Sequence, residues 1–175
     1  MKTVITKLSA TTEPQLKNPS ASLCVVFNRC VRDLVEASLS RQEQIRFEFP
    51  NLSAKAWFKE FATVRVASGR RSGSTYTAIN VAITMFKKPL IVCHAQRMID
   101  MLESDLKHQL EAIGEKASTE SVTIARIDTD LRGVDCDAVI VDCASLCSKE
   151  AIEHLYDTLA DRARDHKNCC FILLN

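Results

Sequence analysis

Five short apolar runs set the terms for any fold of this chain: "TVRVAS" from Thr63, "KPLIVCHA" from Lys88, "SVTIARID" from Ser121, "CDAVIVDCA" from Cys136 and "NCCFILLN" from Asn168. Each is of strand length and rich in apolar residues, and the second, fourth and last are near-continuous in apolar character. A strand that is apolar on both faces must be covered on both, and parallel strands joined by helices meet that demand. The sequence therefore predicts an α/β protein, a three-layer α/β/α sandwich with a mainly parallel sheet.

The stretches between the runs have helical spacing. Tyr76 to Phe86 sets Ile79, Ile83 and Phe86 on one face. "QRMIDMLESDLKHQLEAIGEK" turns Met98, Met101, Leu102, Leu106, Leu110 and Ile113 inward and ends at Gly114. "SKEAIEHLYDTLADRARD" is a helix that Ser148 caps, with Glu150 and Glu153 in its early turns. Ahead of the sheet, residues 18–61 read as a helical extension. Asn18 caps its first helix, Pro19 takes the first position, and Leu23, Val26, Phe27, Cys30, Val31 and Leu34 form the expected buried face. "RQEQIRFEF" fits either the tail of that helix or a short strand. Asn51 or Ser53 caps a second helix, "AKAWFKEFA", with Trp57, Phe58 and Phe61 inward. Residues 1–17 are polar and aperiodic, a flexible arm or an edge strand. Three parts follow: the arm, the extension, and a sheet domain over residues 62–175.

Composition narrows the function classes. At 175 residues and 46% hydrophobic content, one core is affordable, and a net charge of +1 gives no bulk field for nucleic acid. Nucleic-acid contact must then rest on a local patch. No apolar run reaches the roughly 18 residues of a membrane span, and the amino terminus lacks the apolar centre of a secretion signal. Cytoplasmic placement is the expectation, without membrane contact. Eight cysteines fall in no C-x-x-C pair, and the four histidines are scattered, so neither zinc nor a disulfide framework is expected. The cysteines read instead as small buried hydrophobes.

The loop after the first strand carries the sharpest motif. Two of the chain's four glycines, Gly69 and Gly73, stand in "SGRRSGST" between a strand and a helix. Against the phosphate-loop pattern G-x-x-x-x-G-K-S/T, Ser68 takes the first glycine position and Gly73 the second. Ser74 stands where lysine belongs, and Thr75 where a hydroxyl meets Mg²⁺. Ser68, Gly69, Arg70, Arg71, Ser72, Gly73, Ser74 and Thr75 are thus the candidate phosphate-binding residues; an ordinary β-α turn with Arg70 and Arg71 in solvent is the plainer reading. In hydrolysing folds of this kind a later strand ends in Asp-Glu, the aspartate on the metal and the glutamate polarising water. "AVIVDCA" supplies Asp142 and then Cys143. Asp142 with Thr75 is the candidate Mg²⁺ site. Asp142 and Asn175 are the residual catalytic candidates, because Asn175 ends beside the loop if the last strand is inserted between the other two.

These stretches together resemble the ATPase domain of viral large terminases, the genome-packaging motors, with helicase-like ATPases next. The resemblance covers roughly residues 63–175 and rests on Ser68, on Arg70 or Arg71 before Gly73, on His94 after a strand, on Arg132 with Gly133, and on Asp142. It implies a phosphate-loop NTPase fold holding Mg-ATP or Mg-ADP. The sequence departs from the family at Ser74 and at Cys143, which implies weak nucleotide binding and no efficient ATPase. No nuclease domain follows, so packaging by this chain alone is not implied. Two further readings stand beside this one: a pseudo-ATPase fold kept as a protein-interaction module, and an active ATPase that uses Arg70 or Arg71 for the lysine. Arg65, Arg97 and Arg132 are candidates for a basic rim facing phosphate, or else scattered surface arginines. His94 reads as a capping or solvent-facing residue. Asp128 and Asp130 read as loop acids pairing with Arg132 rather than as a metal pair.

Overall fold

A computed structural model describes residues 19–67, 72–113, 122–131, 134–161 and 169–175. The amino-terminal arm, the Asn18 cap, Gly114 and residues 162–168 lie outside them. The element order is α1 (Pro19–Ile45), α2 (Ala54–Glu60), β1 (Thr63–Val66), α3 (Ser74–Met85), β2 (Pro89–Cys93), α4 (Gln96–Ile113), β3 (Thr123–Arg126), β4 (Ala138–Val141), α5 (Lys149–Ala160) and β5 (Cys170–Leu174). A 3-10 turn, Ala144–Leu146, joins β4 to α5. "RQEQIRFEF" resolves as the tail of α1 followed by turns, and Ser53 is the cap of α2, its hydroxyl accepting from the Ala56 amide.

All five strands are parallel, in the order β1-β5-β4-β2-β3. Every residue of the central strands β2, β4 and β5 is buried, while the edge strands β1 and β3 are mixed. This is the burial that near-continuous apolar runs demand. Alternate residues feed two cores. Ile91, Ile140 and Ile172 pack with α1, α3 and α4 on one face; Leu90, Val139 and Phe171 pack with α2 and α5 on the other. Chain direction accounts for the division. The steps β1 to β2 to β3 run one way along the sheet and β4 to β5 runs back, so right-handed crossovers put α3 and α4 on one face and α5 opposite.

The extension contributes to both layers. Trp57 and Phe58 of α2 are fully buried, and Phe58 and Tyr156 each lay a ring against Phe171, with centroids 4.8 and 4.7 Å away. Lys59 and Lys55 pair with Glu153 and Asp157 across α2 and α5; these exposed pairs contribute little. Helix α1 lies against α3 and β1, and its Gln42, almost wholly buried, bonds Ser38 and the Cys170 thiol.

Two helical faces differ from the sequence expectation. In α1 the buried residues are Phe27, Val31 and Val35, whereas Leu23, Val26, Cys30 and Leu34 are exposed. Both sets recur at helical spacing, so periodicity alone did not separate them; the docking of Gln42 and Val35 selects the first. Met101 of α4 is likewise exposed, one step off the Met98, Leu102 and Leu106 face. Val31→Ala is expected to lower unfolding stability by about 2 kcal/mol. Leu23→Ser and Leu34→Ser should each stay within about 0.5 kcal/mol of wild type. Urea unfolding midpoints check the assignment, and the reverse ranking would overturn it.

Candidate functional site at the carboxyl ends of the strands

The site forms where the sheet's connections diverge. β1 leaves toward α3 on one face and β4 leaves toward α5 on the other, with β5 between them. In open α/β sheets that divergence opens a crevice at the carboxyl ends of the strands. Thr75, in the first turn of α3, and Asp142, directly after β4, meet there: Thr75 Oγ1 donates to Asp142 Oδ2 at 2.8 Å. Asp142 has no exposed surface. Its backbone N–H bonds Val92 O at 2.9 Å, continuing the β2–β4 ladder, so the carboxylate is fixed by the sheet itself.

Ser74 and Cys143, where the phosphate-loop pattern has lysine and glutamate, interact with each other, and Cys143 reaches Asp142. The Ser74 hydroxyl donates to the Cys143 sulfur, and the Cys143 thiol donates to Asp142 Oδ1 at 3.7 Å. Burial, then the charge of Asp142, pushes the Cys143 thiol up to about 11. At neutral pH it stays protonated and is neither base nor nucleophile. Cys143 also has a left-handed backbone, φ 56 and ψ 48, the one non-glycine residue with positive φ among those described. That turn carries the chain from β4 into the 3-10 turn.

Gly73 is the N-cap of α3 in the left-handed region, φ 81, with no side-chain cap. A helix leaves its first N–H groups without intrahelical partners, so the start of α3 presents donors toward the crevice. Space also fixes this glycine: a Cβ here would lie 2.4 Å from Cys24 Sγ of α1. The contact was not legible in the sequence, because nothing local announces that α1 crosses the loop. Ser72 is buried beside it.

Of the other candidates, Asn175 follows β5 at the same end, its N–H on Val66 O at 3.0 Å, which places it between the β1 and β4 ends. Ser68, Gly69, Arg70, Arg71, Arg132 and Gly133 lie outside the described residues. Arg65 is exposed on edge strand β1 and Arg97 is exposed in the first turn of α4, after β2. Three strand spacings, about 14 Å, separate those strands. His94 is half-buried beyond β2, with Nδ1 buried and unpartnered. Asp128 pairs with Arg126, which draws its carboxyl below the usual range. Among the described residues no group of three or more His, Cys, Asp or Glu can hold a metal ion, all eight cysteines are free, and no helix is long and apolar enough to cross a membrane.

Against protein-family models, curated proteins and solved structures, the chain finds no match.

Two outcomes follow from the site geometry. Gly73→Ala is expected to destabilise by about 2 kcal/mol, from the left-handed backbone and the Cys24 contact together. Adding Cys24→Ala should return part of the loss, read by urea unfolding; a neutral Gly73→Ala would remove the left-handed turn. The Cys143 thiol is raised on folding, so its contribution is full below its ordinary value of 9.0 and is lost as pH rises toward about 11. The stability difference between wild type and Cys143→Ser should therefore be flat at pH 6–8 and shift against wild type between pH 9 and 11. A flat difference throughout would show the thiol to be unperturbed.

Proposed function

We propose that the chain is a degenerate, terminase-like phosphate-loop domain of viral type that binds nucleotide or nucleic-acid phosphate without efficient hydrolysis. The observation that carries this reading is the 2.8 Å bond between Thr75 and buried Asp142 at the head of α3. The two residues are the ones that the loop and strand motifs assign to one metal. The strand order supports the reading as well, because β5 lies between the loop strand β1 and the aspartate strand β4 and brings Asn175 to the crevice.

The residues present fit Mg²⁺ with a nucleotide. A hydroxyl and a carboxylate are hard oxygen donors, and they already lie within hydrogen-bond reach of each other. Thr75 and Asp142 would hold the ion, and the bound ion would neutralise phosphate charge. The N–H groups at the start of α3 would take the phosphate oxygens. Ser74 brings no charge, and a lost charge-assisted contact costs about 1.5–3 kcal/mol. The Cys143 thiol cannot take a proton from water at neutral pH. Arg70 and Arg71, the candidates to supply the missing cation, lie outside the described residues, and either would leave the base unreplaced.

A second reading, the fold kept as a protein-interaction module, is favoured by the apolar surface that α1 exposes at Leu23, Val25, Val26 and Leu34. Thermal shift and filter binding with Mg-ATP, Mg-ADP, single-stranded DNA and duplex DNA separate the two. The first predicts a shift with Mg-nucleotide that EDTA and Thr75→Ala abolish, with phosphate release near background. Ser74→Lys should tighten nucleotide binding roughly tenfold to a hundredfold. No shift with any of these ligands, in wild type or in Ser74→Lys, would sink the phosphate reading and leave the interaction module.

A further inference from the structure

The amino-terminal ends of β4 and β5, at the far edge of the sheet from Thr75 and Asp142, bring two cysteines together. The strands are paired neighbours, with Ala138 opposite Cys170, and Cys170 N–H bonds Asp137 O at 3.1 Å. Cys136 and Cys169 immediately flank that bond. Their side chains enter the same apolar layer, under α2 and α5, and the two thiols are hydrogen-bonded to each other. Continued one residue back, the register sets Cys169 opposite Asp137 and diagonal to Cys136, a Cα separation of about 6 Å for parallel strands, within the roughly 4.4–6.8 Å that a disulfide spans.

We propose that Cys136 and Cys169 are a thiol-oxidation site that closes to an intramolecular disulfide by exchange with a low-molecular-weight disulfide. The two sulfurs have unequal parts. Cys136 is half-buried and reachable, while Cys169 is 5% exposed. The Cys169 thiol donates to the Cys136 sulfur, which draws Cys136 below the usual thiol value against burial and the charges of Asp137 and Asp135. The shared bond and burial push Cys169 up. Burial also pushes Cys24, Cys93, Cys143, Cys147 and Cys170 up. Cys136 is therefore the favoured attacking thiolate and Cys169 the resolving thiol.

The exchange balances. The Cys136 thiolate attacks one sulfur of the small disulfide and expels the other half as a thiolate. Cys169 loses its proton to solvent and attacks Cys136 Sγ, breaking the mixed disulfide and expelling the second half. The protein pair gives up two electrons, and the small disulfide ends as two thiols. The closed loop contains all of β4 and α5, so the bond holds two neighbouring central strands together where they enter the sheet. It needs nothing from Thr75 or Asp142 and stands whether or not nucleotide binds.

The test uses the full chain carrying Cys30→Ser, which removes the exposed competitor, incubated folded with oxidised glutathione at pH 8. The expected result is loss of two titratable thiols, no retained glutathione, and a proteolytic peptide pair linking Cys136 to Cys169. The melting temperature should rise by about 5 °C. Cys169→Ser in the same background should trap one glutathione on Cys136, and Cys136→Ser should lose the reaction. The proposal is overturned by unchanged thiol titre, by linkage between any other pair, or by glutathione retained on Cys136 while Cys169 is intact. Should Cys169→Ser fail to fold, the linked peptide and the Cys136→Ser result decide alone.

Discussion

Asp142 is a carboxylate with no exposed surface at the end of a fully buried strand, and such a group is tolerated only where its oxygens find donors. Thr75 supplies one donor from α3, and Cys143 a weaker one from the next residue. Each constrains a different part of the chain. The Thr75 bond ties the head of α3 to the end of β4, across β5, and so fixes how the loop after β1 must turn. The Cys143 bond goes with a left-handed backbone at φ 56, which redirects the chain out of the sheet toward α5. Moving either element would leave the carboxylate short of a partner in a medium where that costs several kcal/mol.

The sheet makes such a position available. Three central strands buried on both faces need two helical layers, and two layers need the chain to reverse its direction along the sheet. The reversal between β1 and β4 separates the outgoing connections and leaves room at their carboxyl ends. A polar pair at that point follows from topology before any ligand is considered, which is why fold and site cannot be varied independently here. The extension closes the arrangement from outside: α1 sets Cys24 on Gly73, and α2 covers the β1–β5 edge with Phe58 on Phe171.

All five strands and the helices between them could be read from the sequence: the three central strands because burial on both faces writes uninterrupted apolar runs, β1 and β3 as short apolar segments set between helices. The Ser148 cap was equally legible, being a local hydrogen bond between near neighbours, whereas Ser53 stood as one of two candidates with Asn51 and is selected by its bond to the Ala56 amide. Thr75 and Asp142 could be named from their motifs, although only the strand order brings them to 2.8 Å. The face of α1 was not legible. Leu23, Val26, Cys30 and Leu34 form as regular a stripe as Phe27, Val31 and Val35, and only packing on the sheet, through Gln42 and Cys170 of β5, chooses between them. The Cys24 contact and the Cys136–Cys169 pair were invisible for a related reason. Each joins residues far apart in sequence, the first brought together by the packing of α1 and the second by strand order, neither by spacing.

The contact between Ser74 and Cys143 bears on which charges could stand beside Asp142. At the positions where a phosphate loop would have a cation and a second anion, the chain has two small neutral groups bonded to each other beside Asp142. A glutamate in place of Cys143 would put a second carboxylate against a fully buried one, a repulsion that a neighbouring cation must offset. A lysine in place of Ser74 has Asp142 as a ready partner even with cysteine at 143. The two positions are therefore coupled in one direction: the cation can be present without the second anion, but not the second anion without the cation. Thr75 and Cys143, both neutral, supply the donors to Asp142, so the carboxylate has partners in the absence of metal or nucleotide.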